Sequence, residues 1–179
     1  GGEMISVSAF YKSFTNPIER TFNTQAPNTE LTFRNVDEAS LYGTELEVRK
    51  NLGFIASALS DLSLGLNFAY IYSQTVIDEE ELALIRAQDP EASDKREMFG
   101  QAPYIGNALL SYQNKKGFQM NLSFNVVGPR LSVVTRGATP DYYQMPAPDL
   151  SFNISKKFGP MTVRVSANNL LNSDYRETA

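Results

Sequence analysis

Apolar and polar residues alternate along this chain in runs of about ten, and few folds accept that pattern. A period of two puts one set of side chains on each face of a β-strand. It opens with Ile5, Val7, Ala9 and Tyr11 against Ser6, Ser8 and Lys12, with Phe10 out of step. A second run, from about Arg34 to Lys50, sets Tyr42, Thr44, Leu46 and Val48 against Gly43, Glu45, Glu47 and Arg49. A third, Leu62 to Thr75, sets Leu64, Leu66, Phe68, Tyr70 and Tyr72 against Ser63, Gly65, Asn67 and Ala69, with Ile71 the misfit. Four more follow, around residues 104–113, 118–127, 149–155 and 161–168. In the cleanest, Phe118, Met120, Leu122, Phe124 and Val126 alternate with Gln119, Asn121, Ser123 and Asn125. The expectation is an all-β, antiparallel, up-and-down sheet of about seven strands.

The connections alternate as well. Asn114–Gly117 and Lys157–Pro160 are tight reversals, with Gly and Pro where a turn needs them. Residues 51–61 form a longer turn at the same end. The segments 17–32, 78–99 and 136–146 are long and polar. Short turns at one rim and long loops at the other are the pattern of a transmembrane β-barrel. One long loop carries a short helix: Asp78 is placed to cap it, Glu81 stands at capping-box spacing, Leu82 and Ile85 recur at helical spacing, and Asp89-Pro90 ends the run. Between Asp78 and Met98 eight acidic residues face three basic ones, a net of −5 against −4 for the whole chain. This loop is expected to be solvated and mobile; binding divalent cations or resting on lipopolysaccharide are the sharper alternatives.

Soluble β-sandwiches alternate too, but their strands average about 5–6 residues. Runs of about ten match the length a tilted strand needs to cross a bilayer. The polar face, rich in Ser, Asn, Gln and Gly, suits a hydrated lumen. Tyr11, Phe14, Tyr72, Tyr104 and Tyr112 stand near strand ends, where an interfacial aromatic girdle belongs. The chain has neither Cys nor His. That removes thiol chemistry, the commonest metal ligands and the base of a Ser-His-Asp triad, and neither a metal site nor a cofactor is expected. A net charge of −4 argues against a nucleic-acid partner. Glu45 and Glu47 lie two apart on one strand face, about 7 Å by rise alone. Arg49 is placed to neutralise them, so catalysis is not expected.

Several segments resemble the TonB-dependent outer-membrane receptors, particularly those of Bacteroidota. Residues 5–12 followed by Asn16–Glu19 look like one of their barrel strands. Asn35, Ala39 and the Tyr42-Gly43-x-Glu45 run resemble a recurrent strand motif, and Gln101–Tyr104 with Ala108–Tyr112 resemble another. Asn168, Asn169, Leu170 and Asn172, with Tyr175, are similar to the signature preceding the final strand. The resemblance covers nearly the whole chain and implies its C-terminal barrel portion. It also implies a barrel of about 22 strands around a plug domain, a location in the bacterial outer membrane, a periplasmic TonB-type protein acting through the N-terminal part, and a surface substrate-binding lipoprotein as a further partner. Plug and final strand are not recognisable in these 179 residues.

The expected function is that of barrel wall in an active importer of a bulky nutrient: an iron chelate, cobalamin or a glycan. A passive porin or adhesin-type barrel and a soluble β-sandwich binding domain are the alternatives. The expected lumen-facing residues, for contact with plug or substrate, are Glu45, Glu47, Arg49, Asn67, Asn107, Gln119, Asn121, Asn125, Asn153 and Arg164.

Overall fold

The computed structural model describes residues 2–23, 30–135 and 139–179. In chain order the elements are β1 (Met4–Thr15), β2 (Ile18–Asn23), β3 (Glu30–Asn35), β4 (Glu38–Asn51), two short 3-10 turns, β5 (Leu62–Val76), α1 (Glu79–Arg86), β6 (Lys95–Arg96), β7 (Tyr104–Gln113), β8 (Phe118–Val127), β9 (Arg130–Val133), β10 (Tyr142–Gln144), β11 (Asp149–Phe158), β12 (Met161–Ala167) and β13 (Glu177–Thr178). The main sheet runs β1-β4-β5-β7-β8-β11-β12, every pair antiparallel, with β6 added beside β5. This is the expected seven-strand meander. β1, β4 and β5 span 12, 14 and 15 residues, and β7, β8 and β11 span 10 each. All six reach the length of a tilted membrane strand; β12, at 7 residues, is shorter. No described helix is long and apolar enough to cross a membrane.

One face of the sheet is apolar and bare. Ile5 is 74% exposed, Val7 73% and Val165 60%, and Leu66, Phe68, Leu122 and Phe124 are exposed as well. Among the described residues no second sheet lies against them. The sandwich reading is thereby overturned, because its inner face would be sealed. Bare apolar surface on this scale is stable only against an apolar partner, which hydrocarbon provides.

The short turns form where the sequence placed them. The Asn114 side chain accepts from the Lys116 and Phe118 backbone N–H groups, and Gly117 takes a φ of +73°, which no β-carbon obstructs. At the opposite rim, order extends further than the sequence suggested. The stretch 17–32 holds most of a β2–β3 hairpin, which continues the β1–β4 ladder across a kink at Asn16 and Pro17. Asn16 adopts a φ of +52°, and the Asn35 side chain donates to its carbonyl at 2.7 Å. Across this kink the alternation changes phase. Odd residues Ile5, Val7 and Tyr11 are exposed in β1, whereas Ile18 is exposed and Glu19 and Thr21 are buried in β2. Two further short elements, β9 and β10, pair with each other, and β10 pairs with β13. Residues 24–29 and 136–138 of the expected loops lie outside the described residues.

The helix is confirmed, with Asp78 as its cap accepting from the Glu81 N–H at 2.9 Å. Replacing Asp78 by alanine should destabilise α1 by about 1 kcal/mol for the lost cap, and it also removes the carboxylate's ion pair with Arg34. Amide exchange confined to residues 79–86 would register it. The second half of the capping box does not form, because the Glu81 side chain is engaged elsewhere.

A polar face and a ring of buried charges

Strand register decides which side chains share a face. Glu47, Asn67, Asn107 and Asn125 stand in one row across β4, β5, β7 and β8. Asn121 and Asn153 are cross-strand partners, and so are Ser155 and Gln119 on one side and Ser155 and Arg164 on the other. Glu45 opposes Ala69 and Arg49 opposes Gly65. All ten residues expected to line a lumen therefore lie on the same side of the sheet, opposite the bare apolar face. Some are brought into contact. Arg49 pairs with Glu47 at 2.7 Å, the Ser8 hydroxyl donates to Glu45 at 3.3 Å, and the Asn125 amide donates to the Asn107 side-chain oxygen. No side-chain hydrogen bond joins Asn67, Gln119, Asn121, Asn153 or Arg164 to a partner among the described residues. At the short-turn end this face holds a hollow of about 610 Å³ bounded by Arg49, Asn51, Ser63, Gly65 and Ser111. No group of three or more acidic residues suited to a metal ion occurs among the described residues.

The two breaks in the alternation have a structural cause. Phe10 opposes Gly43, and Gly43 opposes Ile71, so the two apolar side chains flank a glycine on the polar face. Leu41, Ala69 and Ile71 are buried there, with Phe10, Phe14, Met98 and Ile105 packed against them. Phe14 belongs to this cluster, not to the aromatic girdle, because its even position in β1 puts it on the same face as Phe10. The family-motif residues also acquire reasons. Tyr42 stacks against Tyr72 on the apolar face, ring centroids 5.1 Å apart. Asn169 and Asn172 both take positive φ, 52° and 47°, a conformation asparagine tolerates better than most residues. They build the turn that follows β12, where the Leu170 N–H donates to the Leu150 carbonyl at 2.8 Å. Asn168 precedes this turn, and Tyr175 beyond it is 67% exposed.

At the long-loop rim, Glu19, Arg34, Glu81 and Arg96 form a closed ring of ion pairs. Glu19 Oε1 meets Arg34 Nε at 2.5 Å and Arg96 Nη2 at 2.7 Å. Glu81 meets Arg96 Nη1 at 2.5 Å with one oxygen and Arg34 with the other. Asp78 adds a pair to Arg34 at 2.8 Å. Glu19 is 2% and Glu81 0% exposed. The ring ties β2, β3, α1 and β6 together. The Thr21–Val134 bridge adds the end of β9 to the same assembly. Burial works against the Arg34 charge, but Glu81 and Glu19 outweigh it and hold the guanidinium above its ordinary pKa. Beside the ring, burial pushes the Asp141 carboxyl up, against the hydrogen bond it accepts from the Thr135 N–H. The acidic segment is thus tethered, which corrects the expectation of a mobile loop. Only Glu81 among the ring residues stood out in the sequence, and for a different role.

Comparison with known proteins agrees with this geometry. The profile of the family described as TonB dependent receptor-like, beta-barrel, matches residues 1–170. No curated protein and no solved structure matches the chain. The matched span includes every strand of the main sheet and the Tyr42-Gly43-x-Glu45 motif. The chain belongs to the TonB-dependent receptor β-barrel family, proteins of the bacterial outer membrane that carry out TonB-dependent transport.

Proposed function

We propose that this chain is part of the barrel wall of an active importer of a bulky nutrient, an iron chelate, cobalamin or a glycan. A periplasmic TonB-type protein supplies the energy by pulling on a plug domain held within the barrel. A surface substrate-binding lipoprotein would meet the long-loop rim. The observation that carries the reading is the two-sidedness of the meander: ten polar side chains on one face, bare apolar residues on the other. Glu47, Asn67, Asn107 and Asn125 form a row of amide and carboxylate groups suited to hydrogen-bonding a folded plug. The main role proposed for the stripe is to seat that plug; substrate contact falls to the loops and the upper lumen. Among the described residues the outer edges of β1 and β12 are unpaired within the main sheet, and in hydrocarbon such edges need a pairing strand.

These 179 residues hold no cysteine, so single cysteines introduced here, in a full-length receptor cleared of any others, test the reading. In intact membranes N67C and N125C should react slowly with a charged maleimide, and at least tenfold faster once the plug is deleted (a contrast of about 1.4 kcal/mol). F68C and V165C should stay unreactive in both. Labelling of the asparagine positions at the same rate with and without the plug would favour a passive pore. Reaction of Phe68 and Val165 replacements in place of the asparagines would invert the faces and end the reading.

A further inference from the structure

We propose that the short-turn rim carries a lysine collar that binds the phosphate headgroups of anionic glycerophospholipids in the periplasmic leaflet. The inference rests on the outer-membrane placement of the family and is independent of which substrate is imported. Four lysines converge there from two neighbouring turns. Lys115 and Lys116 sit at the tip of the β7–β8 turn, and Lys156 and Lys157 precede the β11–β12 turn. Lys156 Nζ donates to the Lys116 carbonyl at 2.7 Å, and the Lys157 N–H donates to the Gly117 carbonyl at 2.9 Å, so the two turns are bound side by side. None of the four has a carboxylate partner among the described residues. Lys50, nearby along the rim, is by contrast held by Glu3 at 2.5 Å, which keeps that carboxyl below its ordinary pKa.

The surroundings select a lipid. Lys156 opposes Phe118 and Val163, which puts its stem on the apolar face. Its ammonium lies 6.0 Å from the Phe158 ring, and Phe118 meets Tyr112 edge-on at 5.9 Å. Phe158 and Met161 are 58% and 65% exposed. The apolar band thus ends in aromatic rings, and an amphipathic lysine rises out of it, the arrangement that sits at headgroup depth. Lys116, at the turn tip, then lies just beyond the band, within reach of phosphate; Lys157, opposite Thr162, and Lys115, beside the hollow, stand at the same rim on its polar side and add to the local positive charge. Short turns face the periplasm, so the phosphates are those of phospholipid and not of lipopolysaccharide.

The test uses full-length receptor in mixed micelles, with phosphatidylglycerol and phosphatidylcholine as competing probes followed by native mass spectrometry. Wild-type protein should retain phosphatidylglycerol in preference, by about three- to tenfold given the roughly fivefold gain typical of one lysine near an anionic surface. The variant K115Q/K116Q/K156Q/K157Q should bind the two lipids nearly equally, while the four-arginine counterpart keeps the preference. Heat-modifiable gel mobility establishes that each variant folds. If the fourfold variant does not, K115Q/K116Q, confined to a turn tip, should show about half the loss on a logarithmic scale. No preference in the wild type, a preference that survives the substitutions, or a stronger preference for lipid A than for phosphatidylglycerol would each overturn the proposal. So would loss of binding to a periplasmic protein with lipid selectivity unchanged. A mistaken substrate assignment would leave all of these lipid readouts as they are.

Discussion

Replacing Glu81 by alanine is expected to free the segment between β5 and β7 from the sheet, at a local cost of about 3–5 kcal/mol. The size follows from burial. Glu81 is fully enclosed and bridges two guanidinium groups, of Arg34 and Arg96, that are themselves mostly covered. With the carboxylate gone, each arginine keeps Glu19, and Arg34 also keeps Asp78, but two buried positive charges share fewer anions. Removing one partner from such a network costs more than the network contributes as a whole, since the desolvation of the remaining charges is no longer offset. Hydrogen exchange on the full-length receptor should show amides of residues 79–86 and 95–96 losing about two to three and a half powers of ten in protection. Amides of β7, β8 and β11 should be unchanged. The double variant E81A/R96A should cost less than the two single changes summed, with a coupling of about 0.5–3 kcal/mol. If α1 stays protected in E81A, the ring does not hold the loop, and the helix cap and Met98 packing must do so instead.

That ring marks the boundary of what the sequence could reveal. The main sheet was legible because its cause is local: alternation at period two fixes both the strand and its two faces, and register then follows from the turns. β5, β7, β8 and the short turn at Asn114–Gly117 all fall where the pattern put them, and the ten polar residues of the stripe share a face for the same reason. Glu19, Arg34, Glu81 and Arg96 meet only through tertiary structure, across 77 residues of chain, and no spacing rule links them. The β2–β3 hairpin is hidden in the sequence because its alternation is short and changes phase at Asn16, a backbone effect that composition does not carry. Glu81 shows how a local rule is overridden: its capping-box spacing was right, Asp78 caps the helix, and yet two arginines claim the carboxylate. Phe10 and Ile71 taught the opposite lesson. As violations of the alternation they were themselves a signal, of an apolar patch on the wet face built over a glycine.

That glycine supports the second large effect: Gly43→Ala should lower the stability of the barrel by about 1–3 kcal/mol, the range for overpacking a site that cannot relax. A β-carbon at Gly43 would press on the Tyr70 carbonyl oxygen, come within 2.7 Å of Phe10 Cζ and lie 3.2 Å from Ile71 Cα. The Phe10 ring can swing aside. The carbonyl belongs to β5, which is hydrogen-bonded to β4 on one side and β7 on the other, so moving it disturbs two ladders at once. The backbone clash is therefore the limiting one, and the double variant G43A/F10A should recover little of the loss. Gly65→Ala provides the control three rows down the same face: its β-carbon would meet Leu109 at 3.8 Å, an ordinary contact, and should change stability by no more than about 0.5 kcal/mol. Urea midpoints of the purified full-length receptor, read by heat-modifiable mobility, compare the three variants directly. Full recovery in G43A/F10A would move the cause from the strand backbone to the aromatic ring, and equal effects at Gly43 and Gly65 would mean that neither close approach matters.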